Sequence, residues 1–360
     1  MKCRSLRSSR AAGRPRYHRQ RGVALVIAML VFSLAATFIV AMSSEFMLFM
    51  KRSSNTFVAN ESYAYLRGGE DLAKMALIQD EEADTAANRQ RDDLTELWAQ
   101  PVIPYALDNG GFLTGSIQDL SGRLYINNLN AGRSSADDDE DGQGQRRGLA
   151  VNPNGVEAFT TSQRRFLRLL QSFEEPQVSE QDARLILEAI QDWMDKDSNP
   201  SDFGAEDGYY IDAEPSYRTG NRQFSSVSEL RMVAYMTPEL YLAIEPYVTV
   251  WGNGSLNIQT APAQVLRTIN ARDRLEPLSE SEGEALVALR GEEGFESIEA
   301  MLASPVLANL DVDRNLLSET TDYFLFTGQV EVADRQATLY SVLRRQGGQV
   351  KTLLRSSGAF

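Results

Sequence analysis

The stretch that most limits what this 360-residue chain can become is Val23–Met42, twenty residues in which only Ser33 and Thr37 are polar. A helix rises about 1.5 Å per residue, so these positions reach ~30 Å, the thickness of a bilayer's hydrocarbon core. Ahead of them, Met1–Gly22 carries eight basic residues and no acid. Positive flanks stay cytoplasmic, which orients the chain N-in with everything after Met50 on the far side. The apolar run outlasts a secretory signal core, and Ser43-Ser44-Glu45-Phe46 is a poor cleavage site. A plain single-pass anchor would explain that much.

Charge and rare residues narrow the function. The chain has 36 Lys+Arg against 50 Asp+Glu; without the eight basic residues of the leader, 28 face 50 and the net charge is −22. Such a domain does not suit nucleic acid or anionic lipid as a partner. The single Cys (Cys3) and single His (His18) both lie in the leader. Beyond Gly22 there is therefore no disulfide, no Cys or His zinc ligand and no Cys-His or Ser-His-Asp catalysis. Acids are plentiful, but nothing in the sequence sets two of them in a cleft, and no enzyme activity is expected.

Past the apolar run, Tyr63, Leu66, Leu72, Met75, Ala76 and Leu77 keep a rough helical spacing to about Asp80, although Gly68-Gly69 weakens it. Gly111–Leu120 and Arg123–Asn127, separated by Ser121-Gly122, read as a hairpin. Tyr323–Val332, Gln336–Arg345 and Gln349–Arg355 read as strands, the last two joined by a tight Gly347-Gly348 turn. Leu129–Glu319 between them reads helical. Phe166, Leu169, Leu170 and Phe173, then Ala183, Ile186, Leu187, Ile190, Trp193 and Met194, follow the i, i+3, i+4, i+7 pattern. Ser179-x-x-Asp182, Ser226-x-x-Glu229 and Thr237-Pro238 are helix starts.

The boundary Arg21-Gly22 against Val23-Ala24-Leu25-Val26-Ile27 resembles the processing site of type IV pilins and type II secretion pseudopilins. That resemblance implies cleavage by the prepilin peptidase after Gly22 and methylation of the new N-terminus at Val23. Most members carry a glutamate at the position of Ile27. The pseudopilin K (GspK) family lacks it, and it also carries a large helical insertion, so the resemblance extends from Arg19 to the C-terminus. The lack is physically sensible: a carboxylate in the bilayer is costly unless paired, and a subunit at the filament tip has no neighbour there to pair with.

The resemblance implies an α+β fold, with a long pilin-like N-terminal helix packed on an antiparallel sheet and a large all-helical domain inserted. Its boundaries would be a leader at 1–22, a membrane half-helix at 23–42, the first pilin-like part at 43–128, the insertion at 129–319 and the closing strands at 320–360. It implies a minor pseudopilin at the tip of the pseudopilus, nucleating or capping the filament. The partners would be the I- and J-type minor pseudopilins, the major pseudopilin and the inner-membrane assembly platform. The location would be the bacterial inner membrane, with the C-terminal domain in the periplasm. A type IV minor pilin and a membrane-anchored DNA receptor are the alternatives.

The densest chemistry is the acidic run Asp192 to Tyr210. Oxygen-only ligands crowded into a loop after a helix suit a hard cation such as Ca²⁺. Asp195, Asp197, Asn199 and Glu206 fall at positions 1, 3, 5 and 12 of an EF-hand loop, but Pro200 stands where the loop needs glycine. A solvated acidic loop is the plain alternative. Asp-Trp-x-Asp-x-Asp followed by Gly-Ala-Glu-Asp-x-Tyr-Tyr resembles the calcium stretch of the pseudopilin K helical domain. Carried over, that implies Asp195, Asp197, Glu206 and Asp207 as ligands, with Asp192, Asp202 and Asp212 as weaker candidates. Trp193, Tyr209 and Tyr210 are expected to be core that fixes the loop. Asp137–Gly142 begins like a second such loop but reads as a flexible acidic tip.

Leu256–Ala263, Val265-Leu266, Glu284–Arg290 and Phe295–Met301 resemble a helix-hairpin-helix module. Those modules grip DNA phosphates through a Gly-x-Gly hairpin, and Asn270–Ser279 has no glycine pair. The expectation is a retained fold without the phosphate site.

Overall fold

The structure is a computed structural model that describes residues 22–108, 110–130 and 159–358. Most of the basic leader and the Asp137–Gly142 run lie outside the described residues. Helix α1 (Val23–Ala87) is continuous for 65 residues, seven beyond the expected end at Asp80. Two compact units share it: Met1–Asn60 and Glu61–Phe360.

The first unit carries the apolar run, and its side chains, Phe32, Leu34 and Phe38 among them, are exposed along the helix. The run is long and apolar enough to cross a membrane. Ser33 and Thr37 return their hydroxyls to the carbonyls of Leu30 and Leu34, at 3.1 and 2.9 Å, so neither offers a free donor to lipid.

In the second unit the rest of α1 lies on a five-stranded antiparallel sheet. Strands β1 (Tyr105–Ala106) and β2 (Phe112–Asp119) come before the inserted segment. The short β3 (Leu124–Tyr125) opens that segment, followed by α2 (Thr161–Gln171), α3 (Glu180–Met194), α4 (Asp207–Tyr210) and α5 (Pro238–Ile244). Next come β4 (Val248–Thr249), β5 (Leu256–Asn257), α6 (Ala263–Leu266), α7 (Glu280–Arg290), α8 (Ile298–Leu302) and β6 (Leu317–Ser318). The chain closes with β7 (Tyr323–Val332), β8 (Arg335–Gln346) and β9 (Gln349–Ser356). The sheet order is β1-β2-β7-β8-β9, so strands on either side of the insertion are direct neighbours.

One expectation fails here. Arg123–Asn127 does not fold back on Gly111–Leu120. Leu124 and Tyr125 pair in parallel with Val248 and Thr249, while β2 pairs with β7 from Leu113↔Val330 to Asp119↔Phe324. The Ser121-Gly122 signal marks the chain leaving the sheet, and alternation alone does not name a strand's partner.

Helix and sheet meet over Ala73, Leu77, Trp98, Phe324, Phe326 and Leu343. Each large apolar side chain buried there contributes roughly 1.5–3 kcal/mol. Gly69, the residue that weakened the helical reading, serves this contact. A Cβ there would meet the Phe326 ring at 3.4 Å, and Gly115 and Gly328 flank the same ring from the sheet. On the other sheet face Leu120, Leu325 and Val342 pack with Trp251 of the insertion. The sheet thus carries α1 on one face, and the insertion covers one end of the other. The insertion has its own core, from Leu124 and Phe166 through Ile190, Tyr210 and Leu240 to Leu307.

The helix-hairpin-helix-like segment forms α6, a loop and α7. Arg168, buried on α2, donates to the carbonyls of Thr268, Ala271 and Arg274 at 2.7, 2.6 and 2.7 Å. The hairpin turns its carbonyls to a buried guanidinium of its own chain, the reverse of amides turned out to a phosphate.

Candidate metal centre

The site starts from the end of α3. Ser179 caps the helix, its hydroxyl accepting from Asp182 N at 3.1 Å, and Ala183, Ile186, Leu187, Ile190, Trp193 and Met194 form its buried face. The helix stops at Asp195, whose backbone is extended at φ −75°, ψ 178°. Asp192 and Asp195 stand one helical turn apart and face the same way. Asp192 is fully buried. Its carboxylate accepts from Ser201 N at 2.9 Å and Ser201 Oγ at 2.5 Å, which folds the loop back over the helix end. Gly204 lies against that carboxylate, and a Cβ there would overlap it. Glu188 takes the amide of Phe203 at 2.9 Å.

The chain then buries Ala205 and presents Glu206 at the start of α4. Tyr210 anchors this turn: it is buried, packs edge-on to Trp193 at 5.4 Å, and its hydroxyl accepts from Ala234 N at 3.0 Å. Phe224 stacks parallel to Trp193 at 6.4 Å. Trp193 and Tyr210 do form the core behind the loop, as the sequence suggested. Tyr209 does not; it is about half exposed.

One carboxylate oxygen from each of Asp192, Asp195 and Glu206 lies within 4.8 Å of the others. Ca²⁺ takes oxygen ligands at about 2.3–2.6 Å, so two ligands of one ion stand at most ~5 Å apart, and this trio fits. Glu206 is 5% exposed, and its Oε1 is buried with no hydrogen-bond partner. Burial first, then the charges of Asp195, Asp192 and Asp197, push its carboxyl up to about 7. A buried carboxylate oxygen with no donor is costly unless something positive meets it.

The other sequence candidates stand outside the trio. Asp197 accepts its own loop's Asn199 amide at 2.7 Å, and Asp202 and Asp212 are exposed. Asp207 accepts from Thr219 N and Oγ1, both at 3.0 Å, and lies 3.8 Å from Arg218. Asp192, ranked among the weaker candidates, is a full member, and the i, i+3 spacing from Asp195 was the signal for it. Ser201, which holds Asp192 in place, carried no sequence signal.

A second carboxylate group escaped the sequence reading. Asp80 and Asp84 on α1 and Glu96 in the following segment bring oxygens within 4.8 Å. Here the positive charge is built in. Arg345 of β8 donates to Asp80 at 3.0 Å and also pairs with Asp92. Arg89 reaches Asp84 at 3.0 Å and Glu96 at 2.6 Å.

An exposed apolar helix, a one-helix-on-sheet domain and a helical insertion between neighbouring strands together define a membrane-anchored, pilin-like protein. Two family models, both described as Type II secretion system (T2SS), protein K, match residues 122–253 and 256–320. The Type II secretion system protein K of Pseudomonas aeruginosa is 30% identical over 343 residues, 94% of this chain and 93% of its own length. That of Klebsiella pneumoniae is 29% identical over 347 residues, 95% of this chain and 98% of its own. Among solved structures, one from the GspK-GspI-GspJ complex of enterotoxigenic Escherichia coli superposes with a TM-score of 0.66. It covers 86% of this chain and all of its own length at 20% identity, and it shows the same fold.

The chain belongs to the type II secretion system protein K family, and it is a minor pseudopilin of that system. The apolar N-terminal helix fits a single-pass inner-membrane protein.

Proposed function

We propose that this chain is the tip subunit of the pseudopilus, cut after Gly22 and methylated at Val23, with its sheet and insertion in the periplasm. The observation that carries this is the insertion itself. It joins two adjacent strands of the sheet and packs on one end of the sheet face opposite α1, adding bulk that a repeating fibre subunit could not carry at every position. Ile27, where a paired carboxylate would otherwise sit, agrees with a subunit that has nothing above it. Its partners are the I- and J-type minor pseudopilins, as in the complex of the Escherichia coli relative, then the major pseudopilin, the processing peptidase and the assembly platform. Its work is mechanical: it nucleates or caps the filament that drives protein export.

We also propose that Asp192, Asp195 and Glu206 hold one Ca²⁺, with Asp197, Asp207, Asp202 and Asp212 close enough in sequence to add ligands directly or through water. The ion would supply the positive charge that Glu206 Oε1 lacks and would fix the turn from α3 to α4. It has no catalytic part.

Intact mass of protein purified from membranes tests the processing; a chain still carrying Met1–Gly22 sinks it. Mixing the periplasmic domains of the three minor pseudopilins of one organism tests the assembly. A stable complex with one copy of each is expected, and failure to associate at micromolar concentration counts against the tip role.

A further inference from the structure

Beside the metal loop, α4 turns one tyrosine into the core and leaves the next one out. Tyr209 is 52% exposed and meets Tyr235, 42% exposed, at 6.0 Å between ring centroids. Met232, from the same segment as Tyr235, and Ile211, at the end of α4, are also exposed. Tyr235 sits at φ +65°, a left-handed backbone conformation that bulky side chains rarely adopt. The neighbouring backbone is pinned: Ala234 N is held by the Tyr210 hydroxyl, and the Met232 carbonyl accepts from the Tyr217 hydroxyl at 2.9 Å. Glycine would occupy that position without strain. The chain thus holds an aromatic ring outside the core at a backbone position glycine would fit better.

The surroundings say what the rings meet. From Asp195 to Glu214 there are seven acids and one base, Lys196. Asp212 and Glu214 follow Ile211 and are exposed, and of the bases on the same segments Arg218 lies 3.8 Å from Asp207 and Arg231 stacks over Tyr241. Aromatic faces attract guanidinium and ammonium groups, and an acidic rim strengthens that preference. We propose that Tyr209, Tyr235, Met232 and Ile211 form a docking surface for a protein segment that presents arginine or lysine beside an apolar side chain. Charge complementarity with the acidic rim carries the choice of occupant, and the surface stands whether or not the loop binds a cation.

The test is to pan a display library of random short peptides on the full chain in detergent micelles, counter-panning on the Tyr209→Ser/Tyr235→Gly double variant. Calcium is held at one fixed concentration throughout. Failure of the cation reading would then appear in melting shifts and not in peptide binding. The expected peptides combine Arg or Lys with Leu or an aromatic, bind the wild type about tenfold tighter or more, and weaken as salt rises. Tyr235→Gly alone should keep or raise the melting temperature while losing the peptides. Enriched peptides without basic residues, equal binding to the double variant, or a lowered melting temperature for Tyr235→Gly would each overturn the proposal. Sedimentation showing that the wild type self-associates through the patch, and the double variant does not, would overturn it in favour of a second copy.

Discussion

The two carboxylate triads of this protein answer the same electrostatic problem in opposite ways. Asp80, Asp84 and Glu96 are crowded at the end of α1, and Arg345 and Arg89 thread the group. Asp192, Asp195 and Glu206 are crowded at the end of α3. Ser201 donates its amide and hydroxyl to Asp192 and Thr219 its hydroxyl to Glu206, whose Oε1 has no donor. The first triad carries its counter-charge within the chain, so it needs no ion from solution. In the proposed reading, the second takes its counter-charge from solution. One welds the helix to the sheet; the other, if it takes the proposed cation, would tie the turn from α3 to α4 to the medium.

The harshest way to break this comparison is to remove the built-in charge. Arg345→Met would leave Asp80 and Asp92 facing each other in the interior and would lose the guanidinium stacked over Phe324 at 4.9 Å. Removing one partner from a buried ion pair costs about 3–5 kcal/mol. Chemical denaturation of the purified protein should show a loss of that size, the same with or without calcium. A loss under about 1 kcal/mol would mean that the triad does not depend on Arg345.

Next in size is the supplied charge. Calcium at a hundredfold excess over its dissociation constant stabilises by about 2.7 kcal/mol. The melting temperature should fall on chelation and recover on re-addition. Glu206→Gln should abolish that response while costing little in chelator, because the amide puts a donor where a buried oxygen lacks one. An unchanged calcium response in this variant would remove Glu206 from the ligand set.

Gly204→Ala sharpens the same contrast through shape. The added methyl would overlap the Asp192 carboxylate. Overpacking of this kind costs typically 1–3 kcal/mol, and here it should also weaken the calcium response by displacing Asp192. The neighbouring Gly208→Ala, with open space around it, should not lower the melting temperature.

The two triads also differ in how far they could be read from sequence. The second lies within fifteen residues, from Asp192 to Glu206, so local crowding exposed it. What the sequence did not show is how each acid points: Asp207 turns to Thr219, and Asp192 turns inward under Ser201. The first triad depends on Arg345, 265 residues from Asp80, and no local pattern could have joined them. The fold divides along the same line. The periodicity of α3 and the Gly347-Gly348 turn were legible because they are local. The partner of Leu124–Tyr125, and the reason α1 runs through Gly69, depended on distant strands.

The smallest effect comes from protons, and it belongs to the arginine-threaded triad. Burial, then the charges of Asp80, Asp92 and Asp84, push Glu96 up to about 8, although Trp98 Nε1 donates to it at 2.7 Å. In the unfolded chain the same carboxyl ionises near 4.5. The folded state therefore holds the extra proton between those values. The stability it brings is full below about pH 4.5 and is lost as pH rises towards 8. Asp92, pushed up to about 6 chiefly by burial, slopes the same way over a narrower window. Arg89 at 2.6 Å shares the charge on Glu96, so the net loss should be smaller than the full shift would give. Glu96→Gln, which cannot ionise, should flatten the slope of unfolding free energy between pH 5 and pH 8 and leave the calcium response intact. If the slope persists, the proton belongs elsewhere in the group, with Asp80 the next carboxyl to replace.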